Sequence, residues 1–316
     1  MSTLYLADVK QFMHIGQERK ESVCMGVIED NGAYRPNQMI VGSVLHLLEF
    51  LDKLDAGSKD KDIVLCLDSV PTEKRRIAET VLGIRYKGGR PKAPEHVTYQ
   101  YEFTKKILPQ IGYNYLCVEG LEADDIIASV VLKYKDVYDN VVIFTNDSDQ
   151  YYLIDKKVEV QSIRRGGRCV NYSNYRSYVK NNRLVQYNSI NLIKLIEGET
   201  SDNIPPLRAD VTEKLLKMIP AETYPYLGNM NAFRTVFKNI VGADDKESLA
   251  IFDLVNPILN FGQGTTIERG KQVDYKMQNY YLARLNGKKP AGEWESAVQL
   301  GDSTILQMLD EINGGR

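Results

Sequence analysis

The chain has 316 residues, 43% of them hydrophobic, and a formal net charge of −2, which suits an ordinary soluble protein with a substantial core. No apolar run approaches membrane-spanning length, and the N-terminus lacks a basic region followed by an apolar signal segment, so we expect neither membrane insertion nor secretion. The four cysteines are far apart and show no C-x-x-C spacing. This argues against a typical zinc site and predicts reduced core cysteines in a cytoplasmic protein.

Short apolar segments alternate with longer helical patterns in the first part of the chain. The predicted strands have the sequences TLYLAD, DIVLCLD, NYLCVEG and NVVIFTND, and the predicted helices include VGSVLHLLEFLDKL and ADDIIASVVLKY. This alternation is typical of an α/β fold with a mainly parallel central sheet flanked by helices. The segment KKVEVQSIRRGGRCVNYS predicts a hairpin at a sheet edge that turns at Gly166 and Gly167.

The strand pattern ends at about Asn188, and helical patterns follow: INLIKLIEG, VTEKLLKMI, ESLAIFDLVNPILNF and YKMQNYYLARLN. We therefore predict an α/β core over residues 1–187 and a helical C-terminal part over residues 188–316. A basic segment lies within the core at residues 71–110. From Glu73 to Lys106 it holds nine basic and four acidic residues.

Acidic side chains follow three of the predicted strands at the point where each strand ends. These are Asp8, Asp68 and Asp147, with Asp149 two residues further on. Because the carboxyl ends of parallel strands lie at one edge of a sheet, we expect these carboxylates to meet there. The segments LEADD, after the strand NYLCV, and GETSD, after the helix INLIKLI, add five more candidates: Glu122, Asp124, Asp125, Glu199 and Asp202.

Such a concentration of carboxylates predicts bound cations, because the mutual repulsion at short separations is on the order of several kcal/mol. Ligands that are all oxygen select hard divalent ions, Mg²⁺ with Mn²⁺ as a substitute. Their number exceeds what one Mg²⁺ needs, so we predict two ions, a pair suited to in-line displacement at a phosphodiester. Each motif alone has a plainer interpretation as a helix N-cap or a turn, so the prediction depends on their combination.

The basic segment can hold a phosphate backbone beside this acidic site. Its candidate nucleic-acid-binding residues are Arg75, Arg76, Arg85, Tyr86, Lys87 and Arg90. Among them, Tyr86 is a candidate for stacking on a base. The alternative is a solvated helix face with a turn at Gly88 and Gly89. A metal site that faces phosphate needs a basic wall of this kind, which favours the nucleic-acid interpretation.

Six ordered motifs, LYLAD, IVLCLD, RYKGGR, LEADDIIA, TNDSDQYYLI and GETSDNIPP, resemble the 5′-nuclease family of flap endonucleases and 5′ to 3′ exonucleases. The layout is most similar to the ribonuclease H of T-even-type phages within that family, which indicates a phage origin. The resemblance implies a PIN-like fold and the removal of RNA primers and 5′ flaps in lagging-strand DNA replication. It further implies DNA and RNA·DNA substrates, a single-strand-binding protein and a sliding clamp as partners, and we expect a monomer.

The resemblance also implies roles for individual residues. The ligands that it implies for one metal ion are Asp8, Asp68, Glu122 and Asp124. The residues that it implies around or near the second ion are Asp125, Asp147, Asp149 and Asp202. Lys87 and Arg90 are similar to the basic pair that grips the scissile phosphate and stabilises charge in the transition state, so the catalytic candidates are Lys87, Arg90 and Asp124.

Three positions depart from the family pattern. Glu199 stands where the family usually has Asp, and Val9 follows Asp8 where many members have Gly. The segment SDNIPPLRADVTEKLLKMI lacks the glycine-rich helix-turn-helix loop with which most members hold duplex DNA, so we predict a degenerate form of that region. Arg208, Lys214 and Lys217 are candidate substitutes by position.

Two other functions compete with a nuclease. A metal-dependent glycosyltransferase would use the Asp-x-Asp motif to hold a nucleotide-sugar through Mn²⁺, but it leaves Asp68, the EADD cluster that starts at Glu122, and Lys87 without a role. A non-catalytic nucleic-acid binder gains nothing from negative charge that faces phosphate.

Overall fold

The computed structural model describes residues 1–17, 19, 22–30, 33–55, 60–164, 166–178, 190–218, 230–262 and 264–286. The chain divides into two compact units, each built from segments that are distant in sequence. The first unit comprises Met1–Asp8, Asp60–Lys92 and Tyr115–Glu268, and the second comprises residues 9–59, 93–114 and 269–316. The boundary predicted near residue 188 lies outside the described residues and stays a prediction.

The strands, in chain order, are β1 (Thr3–Asp8), β2 (Ser22–Asp30), β3 (Ala33–Ile40), β4 (Lys61–Leu67), β5 (Asn114–Cys117), β6 (Asn140–Phe144), β7 (Val158–Gln161) and β8 (Cys169–Val170). Six of them form one sheet in the order β5-β4-β1-β6-β7-β8. β1 pairs in parallel with β4 and β6, β6 pairs in parallel with β7, and β8 is antiparallel to β7 at the edge. The predicted α/β fold and the predicted edge hairpin are confirmed.

The α-helices, in chain order, are α1 (Val9–Gly16), α2 (Gly42–Asp55), α3 (Thr72–Ile77), α4 (Glu95–Ile111), α5 (Ala123–Tyr134), α6 (Ile190–Glu197), α7 (Ala209–Met218), α8 (Met230–Val241), α9 (Lys246–Val255) and α10 (Tyr275–Leu285). Shorter 3-10 turns cover Ser148–Leu153, Tyr175–Tyr178 and Thr200–Asp202, and a π-helical turn covers Ala78–Leu82. The helical patterns predicted after Asn188 correspond to α6, α7, α9 and α10. None of the helices in the described part of the chain is long and apolar enough to cross a membrane.

Part of the core of the first unit lies between the sheet and α5. Leu4 and Leu6 of β1 are fully buried, as are Val141 and Ile143 of β6, because alternate residues of a strand point to the same face. The α5 residues in the same core are Ile126, Ile127, Val130 and Val131. Burial of each such side chain is worth about 1.5–3 kcal/mol. This packing fixes α5 with its N-terminus directly after β5.

The second unit contains α1, α2, α4, α10 and the antiparallel hairpin of β2 and β3. α1 and α2 approach closely at Gly16, where an added Cβ would lie 2.5 Å from the Cα atom of Ser43. α4 ends at Gly112, whose φ of 87° is the left-handed conformation that terminates helices. The hairpin of β2 and β3 was not predicted.

The prediction that the cysteines lie in the core is correct for one of them and wrong for two. Cys66 is buried in β4, whereas Cys117 and Cys169 are exposed. The reason is strand geometry: β5 alternates buried and exposed residues and Cys117 falls on the exposed face, and β8 is a two-residue edge strand. The side chain of Cys24 lies outside the described residues.

Candidate active site

The register of the sheet places three acidic residues at the carboxyl ends of the adjacent strands β4, β1 and β6. Asp8 pairs with Cys66 in register, and Asp68 lies two residues beyond Cys66. Ala7 pairs with Phe144 in the register of β1 with β6, and Asp147 lies three residues further along the chain. The three strands therefore end at the same edge, as the sequence predicts.

Hydrogen bonds connect these strand ends to each other and to α5. The Thr145 hydroxyl donates to Asp8 Oδ2 at 3.4 Å, and Thr145 Oγ1 accepts from the Asp147 backbone N–H at 3.1 Å. The Ala123 backbone N–H donates to Asp68 Oδ1 at 2.7 Å. Asp68 thus attaches the N-terminus of α5 to the end of β4 with one of its two carboxylate oxygens.

Asp124, in the first turn of α5, is half-buried and lies within electrostatic range of the strand-end carboxylates. Burial, and then neighbouring negative charge, raise the pKa of Asp124 well above its usual value. The residues that supply this charge, largest effect first, are Asp147, Asp8, Asp68 and Glu122. We call Asp8, Asp68, Asp124 and Asp147 the inner cluster.

Gln150 supports the inner cluster from the 3-10 turn that follows β6. Its side-chain Nε2 donates to Asp124 Oδ1 at 2.7 Å. Its Oε1 atom is buried and has no hydrogen-bond partner among the described residues. A buried oxygen without a donor is unfavourable by about 1–3 kcal/mol, so this atom is an available acceptor or ligand beside Asp124.

The start of α5 is held by a buried lysine. Glu122 and Asp125 form a capping box, in which the Glu122 backbone N–H donates to Asp125 Oδ2 at 3.1 Å. Lys74 Nζ lies 3.0 Å from Asp125 Oδ1 and 3.7 Å from Glu122 Oε2. The Ile258 backbone N–H donates to Asp125 Oδ1 at 2.8 Å. Both oxygens of Asp125 are therefore engaged by donors of the protein itself.

Lys74 was not predicted as a site residue, although its spacing from apolar residues of the same helix indicates that it is buried. It precedes Ile77 and Ala78 by three and four residues, which places it on the apolar side of α3. Burial opposes the charged form of Lys74, but Asp125 and Glu122 outweigh it and raise the pKa of the ammonium. This lysine remains charged.

The prediction that Tyr86 stacks on a base is wrong for this structure. The side chain is buried, with 5% exposure. Its hydroxyl donates to Glu122 Oε2 at 2.9 Å and lies 3.4 Å from Asp202 Oδ2. The ring is inaccessible because the hydroxyl is drawn inward by two carboxylates, and Tyr86 instead fixes the turn that carries Lys87.

Lys87 and Arg90 contact carboxylates from both sides of the site. Lys87 Nζ is hydrogen-bonded to Glu122 and lies 3.8 Å from Asp202 Oδ2. Arg90 pairs with Asp202 and donates from Nε to the Ser201 carbonyl at 3.2 Å. The Lys87 backbone N–H donates to the Asp202 carbonyl at 2.9 Å. Lys87 has a φ of 55°, a left-handed conformation that is unfavourable for a residue with a Cβ atom by about 1–2 kcal/mol.

Asp149 and Glu199, which we call the outer pair, share one lysine of α6. Lys194 Nζ is hydrogen-bonded to Asp149 and lies 2.7 Å from Glu199 Oε2. Burial and the charge of Asp147 raise the pKa of Asp149 to about 6, against the opposing effect of Lys194. For Glu199, burial opposes ionisation, but hydrogen bonds from Lys194 and Ser201 lower the pKa. Lys194 was not predicted as a site residue. The sequence feature that could have identified it is its position as the single charged residue in the apolar helix INLIKLI.

The other candidate nucleic-acid-binding residues, Arg75, Arg76, Arg85 and Lys214, are exposed. Arg76 forms a two-point ion pair with Glu73, at 2.9 and 2.6 Å. Arg208, considered as a substitute for the missing glycine-rich loop, is engaged by Asp245 in two hydrogen bonds of 3.2 and 3.0 Å. The roles of these residues in binding nucleic acid stay predictions.

Within the described part of the chain, no three side chains of Asp, Glu, His or Cys are arranged to hold a metal ion as they stand. The donor chemistry of the inner cluster nevertheless fits a hard divalent cation, because its ligands are carboxylate oxygens. Burial and then the repulsion of neighbouring carboxylates raise the pKa of Asp124, and a bound cation would offset both effects. The buried Gln150 Oε1 offers one more oxygen. The outer pair fits a metal ion less well, since the Lys194 ammonium already lies against both carboxylates.

Comparison with known proteins identifies the family. Residues 27–185, half of the chain, match the family model described as "5′-3′ exonuclease, N-terminal resolvase-like domain". The chain belongs to this 5′-3′ exonuclease family. The family predicted from the six motifs is thereby confirmed.

Individual relatives are distant and longer than the matched region. The 5′-3′ exonuclease of Buchnera aphidicola subsp. Schizaphis graminum is 29% identical over 170 residues, which are 54% of this chain and 55% of the relative. DNA polymerase I of Caldicellulosiruptor bescii is 28% identical over 174 residues, which are 55% of this chain and 20% of the polymerase. The chain thus spans about half of the first relative and a fifth of the second.

Two solved structures are similar over most of the chain. The T5 D15 protein co-crystallised with metal ions has 16% identity and a TM-score of 0.48, covering 97% of this chain and 99% of that one. Human GEN1 in complex with Holliday junction DNA has 15% identity and a TM-score of 0.45, covering 98% of this chain and 73% of that one.

Proposed function

We propose that the protein is a metal-dependent 5′ nuclease that hydrolyses phosphodiester bonds of DNA and RNA·DNA duplexes at 5′ ends and flaps. The observation that carries this proposal is the convergence of the inner cluster with Lys87 and Arg90. Carboxylates that hold cations, next to cations that hold a phosphate, are the two components that phosphodiester hydrolysis needs. Membership of the 5′-3′ exonuclease family supports the same function.

The inner cluster would hold Mg²⁺, or Mn²⁺ as a substitute. When bound there, such an ion would lower the pKa of a coordinated water and neutralise charge on the leaving oxygen. The remaining work falls to the side chains. Asp124, on which the other carboxylates of the cluster act, would be the principal ligand of the ion. Glu122 and Asp202 lie where the cluster meets the basic side chains.

Lys87 and Arg90 would grip the scissile phosphate. Both cations already lie at the edge of the site, held by Glu122 and Asp202. A phosphate that enters there meets donors whose position is fixed in advance, so little reorganisation is needed when negative charge builds up on its oxygens. Arg75, Arg85 and Lys214 are exposed and would follow the nucleic-acid backbone at a greater distance.

Asp125, Lys74 and Tyr86 have positioning roles in this proposal. Asp125 was predicted to lie around or near a second metal ion, but its oxygens accept hydrogen bonds from Lys74 and from two backbone N–H groups. It therefore fixes the start of α5, and with it the orientation of Asp124. Tyr86 similarly fixes the turn that precedes Lys87.

The biological role that we propose is removal of RNA primers and 5′ flaps in lagging-strand DNA replication. It is supported by the relatives named 5′-3′ exonuclease and DNA polymerase I. A single-strand-binding protein and a sliding clamp are the partners that such a role implies.

The proposed function is tested with a 5′-labelled DNA flap and a 5′-labelled RNA·DNA hybrid. We expect short 5′-terminal products in Mg²⁺ or Mn²⁺ and none when EDTA is added in excess. Gel-shift measurements on the same substrates separate binding from cleavage. Substrates that are bound but stay intact with either ion would indicate a non-catalytic nucleic-acid binder instead.

A further inference from the structure

The outer pair raises the question of how many metal ions the protein holds. Nine candidate carboxylates led to the prediction of two ions. The structure, however, supplies the outer pair with a positive charge of its own, the ammonium of Lys194. The side chain of Lys194 is only 15% exposed, so water screens its interaction with both carboxylates weakly.

Lys194 is held in place by the packing of α6. Its neighbours Asn191, Leu192 and Leu195 are buried, and the Leu207 backbone N–H donates to the Leu195 carbonyl at 3.0 Å. The face of α6 that carries Lys194 therefore has a fixed position. The ammonium reaches the outer pair without rearrangement of the backbone.

Both carboxylates of the outer pair are equally fixed. Glu199 and Ile204 exchange backbone hydrogen bonds of 2.9 and 3.0 Å, and the Ser201 hydroxyl donates to Glu199 Oε1 at 2.8 Å. The Asp149 backbone N–H is bonded to Asp147 at 2.9 Å.

We propose that the ammonium of Lys194 takes the place of a second divalent ion at Asp149 and Glu199, so that the free protein binds one divalent ion, at the inner cluster. A second ion at the outer pair would lie within a few ångströms of a fixed positive charge, which repels it. The inference rests on the proposed function, because it assumes that the inner cluster binds a metal ion.

The test counts metal ions in the absence of nucleic acid. Metal-free protein is titrated with Mn²⁺, and bound ions are counted by electron paramagnetic resonance of the free Mn²⁺ and by calorimetry. We expect one ion for the wild type and two for Lys194→Met. The second site of the variant should bind roughly tenfold or more tightly than any further Mn²⁺ site of the wild type, about 1.4 kcal/mol or more.

Three further variants make the result specific. Lys194→Arg keeps the positive charge and should bind one ion. Lys217→Met removes an exposed lysine that pairs with Glu213 and should also bind one. Adding Glu199→Gln to Lys194→Met removes a ligand of the new site and should return the count to one. Circular dichroism melts verify the folding of each variant, and Lys194→Gln replaces Lys194→Met if that protein does not fold.

The outcomes distinguish this inference from the proposed function. Two ions of similar affinity in the wild type, or one ion in a folded variant that lacks the Lys194 charge, overturn the role of Lys194 and leave the proposed nuclease intact. A folded wild-type protein that binds no Mn²⁺ overturns the proposed metal dependence, and this inference with it.

Discussion

Asp124 is the side chain on which the proposed chemistry depends most, because four other carboxylates act on it. We predict that Asp124→Asn lowers the cleavage rate by about 10³-fold or more, the scale expected when a group that organises the transition state is lost. Affinity for DNA should stay equal or increase, since a charge that repels phosphate is removed. Single-turnover cleavage and gel-shift binding check the two parts. Asp244→Asn, at an exposed carboxylate, is the matched control, and normal cleavage by Asp124→Asn would reject its assigned role.

Lys87 is predicted to act on turnover more than on binding. Lys87→Ala should reduce kcat by about 10²–10³-fold with a much smaller change in DNA affinity, because in the proposed function its ammonium contacts the phosphate that reacts rather than the length of the duplex. Steady-state kinetics and equilibrium binding provide the comparison. Lys246→Ala, which removes an exposed lysine, should alter neither. An equal fall in kcat and affinity would make Lys87 a simple phosphate anchor.

Individual residues were predictable where strand geometry determines their place. Asp8, Asp68 and Asp147 follow strands whose ends must meet in a parallel sheet, and the sequence identified all three. The partners of the carboxylates were not predictable in the same way. Lys74 and Asp125 are separated by 51 residues, and Lys194 and Asp149 by 45, so their contacts arise from tertiary packing.

At the scale of elements, α3 and α5 are joined by the buried contact between Lys74 and Asp125. We predict that Lys74→Met lowers the free energy of unfolding by about 3–5 kcal/mol, because it leaves the buried Asp125 carboxylate without its cation. Urea denaturation measures the change. Adding Asp125→Asn should restore part of the loss.

Arg75→Met provides the control for this helix. Arg75 is the next residue on α3 and is exposed, so its loss should change the stability by less than about 0.5 kcal/mol. A comparable loss in both variants would mean that α3 is sensitive to any charge removal, not to the buried ion pair.

Strands that alternate with helices were predicted, whereas the hairpin of β2 and β3 and the helix α8 were not. The dipeptide Asn31-Gly32 stands between β2 and β3 in the sequence and is a strong hairpin signal. The alternation of strands and helices does not indicate this hairpin, because β2 and β3 form an antiparallel ribbon outside the mainly parallel sheet. The hairpin of β7 and β8 was found because it continues that sheet.

For the whole molecule, the proposed function implies that folding is coupled to metal binding. The carboxylates of the inner cluster come together only in the native state. An ion that binds the native state and not the unfolded chain must stabilise the native state. We predict that Mg²⁺ or Mn²⁺ raises the melting temperature, by an amount equivalent to about 2.7 kcal/mol at a concentration 100 times the dissociation constant. Differential scanning fluorimetry with and without EDTA measures the shift.

Two comparisons isolate the cause of that shift. KCl at matched ionic strength should raise the melting temperature less, because screening acts on all exposed charges and only weakly on buried ones. Asp124→Asn should lose most of the Mg²⁺ effect. An equal rise with KCl would attribute the stabilisation to ionic strength instead of a bound ion.

At Lys87 the main chain and the side chain favour different residues. The left-handed main chain favours glycine, whereas the ion pair with Glu122 requires a lysine. Glycine adopts a φ of 55° without a Cβ penalty, whereas alanine and lysine bear that penalty alike. Lys87→Gly should therefore be more stable than Lys87→Ala by about 0.5–1 kcal/mol in thermal denaturation, and just as inactive. The main chain at this turn alone would favour glycine, so the lysine is explained by its side chain, whose ammonium lies against Glu122 and Asp202 at the edge of the proposed active site.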